Sequence, residues 1–167
     1  MTRLIGIIGW KNTGKTTLIE RLVTRFVSDG LRVATIKNAH HDFDIDHENK
    51  DSWRHRKAGA KEVLITSQRR WALLHENDSL AEPTLEDLLE HLSSADLVIV
   101  EGFKQHNHPK IEVVLMPPRE SLLCENDAAV VAVATNMPEL SLARPLPLLN
   151  IDKPDEVADF IRKLINL

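Results

Sequence analysis

GWKNTGKTT occupies residues 9–17 and matches the pattern Gly-x-x-x-x-Gly-Lys-Thr, with Gly9 and Gly14 at the glycine positions followed by Lys15 and Thr16. Glycine adopts backbone angles that are closed to residues with a Cβ atom, so successive N–H groups can point inward around an oxyanion. A lysine at this position places a positive charge on phosphate oxygens, and the hydroxyl of the next residue can bind Mg²⁺. The stretch therefore predicts a phosphate-binding loop, or P-loop.

The sequence on both sides of this loop supports the prediction. Residues 3–8 (RLIGII) form a short apolar, β-branched run that is typical of a buried strand. After the loop, apolar residues recur at helical spacing, and Asp29-Gly30 then predicts the end of the helix. A glycine-rich turn that binds nothing is the alternative, and this strand–loop–helix context disfavours it.

Length and composition set the class of protein. At 167 residues, with 43% hydrophobic and 28% charged residues, the chain is predicted to form one globular domain over residues 1–167. A net charge of −4 argues against nucleic-acid binding, and no apolar run approaches the ~20 residues of a membrane span. Cys124 is the single cysteine, which excludes an internal disulfide and agrees with a cytoplasmic location.

Strand and helix patterns alternate along the rest of the chain. Strands are predicted at residues 31–37, 96–102, 111–116, 129–135 and 146–150. EVLITS and RWALLHE, joined by Gln68 and Arg69, predict a β-hairpin. Further helices are predicted at 51–58, after Thr84 with a capping box to Asp87, and from Pro154. The pattern indicates an α/β fold of the P-loop NTPase type: a mainly parallel sheet with helices on both faces and a β-hairpin extension.

One carboxylate is expected to share the edge of the sheet with the P-loop. Ligands of open α/β sheets bind outside the carboxyl ends of the strands. Glu101 lies at that end of the strand at 96–102, whereas Asp96 begins it, roughly 16 Å away. Glu101 is therefore the predicted Mg²⁺-binding acid. The alternative is a solvated carboxylate at a strand end.

The loop after the strand at 31–37 is rich in ionisable residues. It carries three imidazoles and three carboxylates within eight residues: His40, His41, Asp42, Asp44, Asp46 and His47. Such a set could bind metal, orient water or polarise a phosphate. It could equally be a solvated loop whose aspartates make turns. Asp42 and Asp44 are the preferred catalytic candidates because they are close enough to the end of the strand to face Mg²⁺.

Two other features bear on ligands. Residues 50–70 contain seven Lys or Arg against two acidic residues, which suits a second phosphorylated ligand or an acidic partner, or else a solvated helix face. Trp53 and Trp71 are expected to be packing residues, and an exposed tryptophan in this region would instead indicate an interface. Asn136 follows a late strand and could bond the edge of a nucleotide base. No Asp completes an Asn/Thr-Lys-x-Asp signature there, so the residues alone leave ATP and GTP open.

Five stretches of the sequence, taken in order, resemble the MobB family of molybdopterin-guanine dinucleotide biosynthesis adapter proteins. They are GWKNTGKTTL, IKNAHHDFDID, KDSWRHRKAGA, SQRRWALL and VIVEGFK. The resemblance implies a dimeric, cytoplasmic, GTP-binding protein with weak GTPase activity. It also implies a partner, the guanylyltransferase MobA, which joins GMP to molybdopterin, and molybdopterin is itself a candidate ligand. The residues expected to hold GTP and Mg²⁺ are Gly9, Asn12, Thr13, Gly14, Lys15, Thr16 and Thr17, with Glu101 in the Walker B position and Asn136 at the base.

Two other functions are compatible with a P-loop. A nickel-insertion-type GTPase metallochaperone would explain the histidine-rich loop, but Cys124 stands alone, without a Cys-Pro-His-type metal motif. A small-molecule kinase would fit the size of the chain and the basic segment. The series of motifs favours the adapter over both.

Overall fold

The computed structural model describes residues 3–39, 43–78, 82–115 and 121–167. The strands are β1 (Leu4–Ile8), β2 (Val33–Lys37), β3 (Glu62–Thr66), β4 (Trp71–His75), β5 (Leu97–Glu101), β6 (Lys110–Val114), β7 (Val130–Thr135) and β8 (Leu148–Asn150). The α-helices are α1 (Lys15–Ser28), α2 (Asp51–Lys57), α3 (Leu85–Glu90) and α4 (Pro154–Ile165). A 3-10 helix spans Leu123–Glu125.

The chain forms two compact units. One combines Met1–Asn38 with Leu88–Leu167, and the other is Ala39–Asp87. We call them the sheet unit and the hairpin unit. The expectation of a single domain over residues 1–167 stays a prediction.

The sheet unit contains six strands in the order β2-β5-β1-β6-β7-β8, and every neighbouring pair is parallel. The predicted α/β fold with a mainly parallel sheet is confirmed. β1 lies between β5 and β6, so the P-loop that follows β1 leaves the sheet at an inner strand. This position gives the P-loop neighbouring strand ends on both sides.

Alternation along the strands separates two cores. Ile5 and Ile7 of β1 belong to the larger cluster, which joins one face of the sheet to buried side chains of α1 and α4 such as Phe26 and Ile161. Ile8 belongs to a second cluster with residues of β6, β7 and the 3-10 helix. In strands that are buried on both faces, nearly every residue must be apolar, which explains their continuous hydrophobic runs.

The hairpin unit contains the predicted β-hairpin. β3 and β4 pair antiparallel from Glu62 opposite His75 to Thr66 opposite Trp71, and the turn is closed by Ser67 N–H donating to Arg70 O at 2.9 Å. Its apolar side chains are unusually accessible: Leu64 is 59% exposed and Trp71 is 61% exposed. The expectation that Trp71 packs inside the protein is therefore wrong, because a two-stranded ribbon has no second layer to bury both of its faces.

Local signals fixed the ends of the helices as expected. Thr84 and Asp87 form a reciprocal capping box: Asp87 N–H donates to Thr84 Oγ1 at 3.1 Å and Thr84 N–H donates to Asp87 Oδ2 at 3.0 Å. α1 ends before Gly30, which has φ +85°. In the described ranges, no helix has both the length and the apolar character to cross a membrane.

Candidate functional site

The register of the sheet brings the candidate residues to one edge. Ile7 of β1 is level with Glu101 at the end of β5, and Glu101 is level with Lys37 at the end of β2. The P-loop begins one residue beyond Ile8, and α1 begins at Lys15. The carboxyl ends of β2, β5 and β1 therefore present Lys37, Glu101 and the P-loop side by side, as the parallel arrangement requires.

The backbone of the P-loop has the left-handed geometry expected of a phosphate cradle. Gly9, Asn12 and Gly14 have φ angles of +148°, +63° and +84°. A Cβ atom added at Gly9 would lie 2.6 Å from the carbonyl oxygen of Val113. β6 thus approaches the loop too closely for any residue except glycine, and Asn12 adopts the one positive-φ region that asparagine tolerates.

Hydrogen bonds to a single carbonyl organise the loop. Trp10 O accepts from Lys15 Nζ at 2.6 Å and from Thr13 Oγ1 at 2.9 Å, while Trp10 Nε1 donates to Ser121 O at 2.9 Å. Burial lowers the pKa of Lys15; Glu101 opposes this shift, and the neighbouring Lys104 and Lys37 add to it. A partly desolvated ammonium among other cations is poised to attract an anion.

Thr16 and Glu101 provide the oxygen ligands that a hard cation prefers. Thr16 Oγ1 lies 3.5 Å from Glu101 Oε1, and Lys37 Nζ lies 3.5 Å from Glu101 Oε2. A hydroxyl next to a carboxylate at the mouth of a P-loop fits Mg²⁺, which is held in proteins by one or two such groups together with water and phosphate. The structure brings together the two predicted metal ligands, and their role stays a prediction.

Of the two catalytic candidates, Asp44 lies in the hairpin unit. Asp42 falls outside the described residues. Both carboxylate oxygens of Asp44 accept hydrogen bonds from Arg56 Nη2 at 2.8 Å, and Arg56 also donates to Asp46 and Glu76. The bond from Arg56 is the main cause of a lowered pKa at Asp44. Asp44 is thus an ionised carboxylate held by an arginine, and its catalytic role stays a prediction.

The remaining candidates are placed as follows. Thr17 is exposed in the first turn of α1, and Asn136 follows the last residue of β7, two strands away from β1. Among the residues with described coordinates, no group of three or more His, Cys, Asp or Glu side chains is arranged to hold a metal ion.

Sequence reasoning did not single out Lys104 or Lys110. Lys104 Nζ lies 4.3 Å from the centroid of the Trp10 ring, and Lys110 is buried beneath the loop that carries Lys104. Lys104 ends the stretch VIVEGFK, three residues after a predicted Mg²⁺ ligand. Such spacing does not show which way a loop turns.

A glycine-rich loop between an inner parallel strand and a helix, with Lys15 and Thr16 in the first helical turn and an acid on the adjoining strand, defines a P-loop NTPase-like fold. Residues 4–136 match the profile of the MobB family, "Molybdopterin guanine dinucleotide synthesis protein B". The chain belongs to this family.

Relatives and solved structures agree with this assignment. The chain is 40% identical to a molybdopterin-guanine dinucleotide biosynthesis adapter protein of Haemophilus influenzae, over 98% of this chain and 89% of the relative. It is 37% identical to the protein of the same name in Escherichia coli, over 96% and 92%. Among crystal structures, "molybdopterin-guanine biosynthesis protein B (mobB)" aligns with TM-score 0.75 and 29% identity, covering 96% of this chain and 99% of that one. Bacillus subtilis MobB aligns with TM-score 0.75 and 25% identity over 98% of both chains.

Proposed function

We propose that this protein is a GTP-binding adapter in the synthesis of molybdopterin guanine dinucleotide. Family membership supports the pathway, and the juxtaposition of Thr16 with Glu101 at the P-loop is the observation that carries nucleotide binding. In this proposal the N–H groups of the loop at 9–14 surround the phosphates, and Lys15 moves from Trp10 O to the phosphate oxygens. Thr16 and Glu101 hold Mg²⁺, which neutralises charge on the phosphates.

In this proposal, the nucleotide base is recognised by residues at the carboxyl end of β7. Asn136 follows β7 directly, and Thr135 Oγ1 accepts from Met137 N–H at 3.1 Å, which bends the chain after the strand. An amide can both donate to and accept from the edge of guanine. GTP is favoured because the family acts in the synthesis of a guanine dinucleotide.

Hydrolysis is a secondary property in this proposal. Asp42 and Asp44 are proposed to orient the attacking water. The ion pair with Arg56 keeps the Asp44 carboxylate ionised and hydrogen-bonded, so Asp44 is a poor proton acceptor at neutral pH. The protein is accordingly an accessory nucleotide-binding protein with weak GTPase activity.

The partner is proposed to be a MobA-type guanylyltransferase, with molybdopterin as an additional ligand, in the cytoplasm. A homodimer is proposed as the working form. The exposed apolar side chains of the hairpin, which include Leu64, Ile65, Trp71 and Leu73, support an interface on this ribbon. Aromatic residues are enriched in such interfaces.

Reconstitution tests the proposal. Purified guanylyltransferase, molybdopterin, Mg²⁺ and GTP are incubated with the wild-type protein or with Lys15→Ala, and the dinucleotide product is quantified. The wild-type protein should raise the yield and bind GTP in calorimetry, whereas Lys15→Ala should do neither while keeping its circular dichroism spectrum. Equal yields with the two proteins would contradict the proposal.

A further inference from the structure

The chain makes an unusual turn immediately after Glu101. Gly102 and Phe103 both have positive φ angles, +93° and +51°. A left-handed phenylalanine is strained, and such strain persists only where the surrounding structure imposes it. A Cβ atom at Gly102 would lie 3.1 Å from Asn38 Cβ, so glycine is needed for close contact with the end of β2. The turn directs the next residue, Lys104, to the P-loop.

Lys104 lies on the side chain of a P-loop residue. Its Nζ is 4.3 Å from the centroid of the Trp10 ring, and Trp10 O is the acceptor for Lys15 Nζ. Lys104 and Lys37 both act on the ammonium of Lys15, and they add to the lowering of its pKa that burial begins. Lys15, Lys37 and Lys104 therefore lie together at the mouth of the loop, and Glu101 is paired with Lys37. A cation–π contact is weaker than a charge-assisted hydrogen bond, so a phosphate oxygen is a stronger partner for this ammonium.

A buried lysine holds this loop in place. Lys110 is 1% exposed, and its Nζ donates to Lys104 O at 2.8 Å and to His106 O at 2.6 Å. Asp127 Oδ2, 2.7 Å away, balances its charge. Burying an ammonium is costly unless it is paired and fully hydrogen-bonded. Two of the three oxygens that satisfy Lys110 Nζ come from the loop that carries Lys104.

The neighbouring strand is shaped to admit Lys110. Gly6 of β1 is level with Lys110 of β6, and a Cβ atom at Gly6 would lie 2.7 Å from Lys110 Cγ and 2.5 Å from Nε2 of His108, whose side chain shares this space. The side chain of Lys110 thus crosses β1 at the one residue that has no side chain. Lys110 therefore connects the loop that carries Lys104 to the centre of the sheet.

We propose that Lys104 is a phosphate-binding residue, a second cation that the loop after Glu101 supplies to the terminal phosphate of a bound nucleoside triphosphate, and that Lys110 is its positioning residue. This inference rests on the proposed function of the P-loop. The P-loop contains no arginine. Two lysines from other strands reach it: Lys37 is paired with Glu101, whereas the ammonium of Lys104 rests on the Trp10 ring. On binding, its ammonium exchanges the Trp10 ring for a phosphate oxygen.

Calorimetry with Lys104→Met tests the inference. Methionine keeps much of the length of the side chain and removes the charge. The matched control is Lys163→Met, which removes the same charge from an exposed position on α4. Dissociation constants are measured for GTP and GDP with Mg²⁺. Lys104→Met should weaken GTP binding by about tenfold or more, as loss of a charge-assisted bond does, and GDP binding by less. Lys163→Met should change neither by more than about twofold.

The outcomes separate this inference from the proposed function. If Lys104→Met matches Lys163→Met while Lys15→Ala abolishes binding, the role of Lys104 is refuted and the P-loop proposal stands. If the wild-type protein binds neither GTP nor ATP, the proposed function itself fails. Equal losses for GTP and GDP would also contradict contact with the terminal phosphate.

The positioning role of Lys110 is tested with Lys110→Met/Asp127→Asn, which removes both charges together and leaves neither one buried alone. This variant should weaken GTP binding about as much as Lys104→Met does. Adding Lys104→Met to it should then cause no further loss, because the loop no longer presents the ammonium. A purely structural role predicts additive losses. If the double substitution fails to fold, Asp127→Asn alone is the milder variant, because it keeps both carbonyl acceptors of Lys110. It should weaken GTP binding to a smaller extent, and it should cause no further weakening when Lys104→Met is already present.

Discussion

Thr16 Oγ1, in the first turn of α1, lies 3.5 Å from Glu101 Oε1, at the end of β5. The two residues are far apart in the chain and meet because β1 and β5 are parallel neighbours with Ile7 level with Glu101. In the proposed function, this hydroxyl and carboxylate are two of the Mg²⁺ ligands, and phosphate oxygens and water are the others.

Glu101→Gln should preserve nucleotide binding in EDTA and remove its enhancement by Mg²⁺. An amide is a much poorer ligand for a hard cation than a carboxylate of nearly the same shape. Calorimetric titration with GTP, with and without Mg²⁺, measures the effect. Glu20→Gln, on the exposed face of α1, is the control with the same change of charge. An intact Mg²⁺ enhancement in Glu101→Gln would leave Glu101 as an ordinary residue at a strand end.

The isolated protein should hydrolyse GTP well below one turnover per second, against the ~10 s⁻¹ median of dedicated enzymes. Rapid phosphoryl transfer needs an oriented water and a base matched to the working pH, and Asp44 is held as an ionised partner of Arg56. Single-turnover assays with and without the guanylyltransferase measure the rate. Rapid turnover by the protein alone would show a dedicated GTPase.

Gly9→Ala should lower the free energy of unfolding by about 3 kcal/mol, and Gly30→Ala by only about 1 kcal/mol. Both glycines have positive φ angles, so both variants incur backbone strain. Only Gly9 also faces a backbone oxygen, Val113 O, 2.6 Å from the added Cβ atom; nothing lies within 4 Å of one at Gly30. Urea denaturation measures both. Equal losses would show that the contact with β6 does not restrict Gly9.

Asp96 should contribute to the loss of stability in acid. Hydrogen bonds from the Arg32 side chain, and then from its backbone N–H, lower the pKa of Asp96 to about 2, from an ordinary value of 3.8. Because the folded carboxylate holds its proton less tightly than the unfolded one, its stabilisation is present above pH 3.8 and is lost as the pH falls to about 2. Asp96→Asn should flatten the pH dependence of the unfolding free energy in that window. Asp159→Asn, an exposed carboxylate on α4, is the control and should leave the dependence in place.

Cys124 should resist alkylation in the folded protein. The side chain is 1% exposed, and burial raises the pKa of its thiol to about 12, with Glu112 adding to the shift. Iodoacetamide reacts with the thiolate, and a thiol whose pKa is raised this far forms little thiolate at mildly alkaline pH. Mass spectrometry should find negligible labelling in buffer and complete labelling in urea. Fast labelling without denaturant would contradict the packing of the second core cluster.

The sequence was sufficient for features that depend on neighbours along the chain. The P-loop, the Ser67–Arg70 turn and the Thr84–Asp87 capping box all arise from backbone preferences of residues a few positions apart. Hydrophobic periodicity identified the strands and helices for the same reason. Glu101 could be placed at the functional edge because carboxyl ends of parallel strands share an edge, whatever the order of the strands.

Only the tertiary structure decided which strands are neighbours and which side chains meet. The order β2-β5-β1-β6-β7-β8 depends on contacts between residues far apart in the chain, and no local preference encodes it. One of the cations at the P-loop, Lys104, shows the consequence. Lys104 reaches Trp10 through a left-handed turn that Lys110 and Asp127 hold from other elements. The sequence alone does not distinguish a solvated lysine from a buried one. Its partners, and therefore its charge environment, exist only once the sheet has assembled.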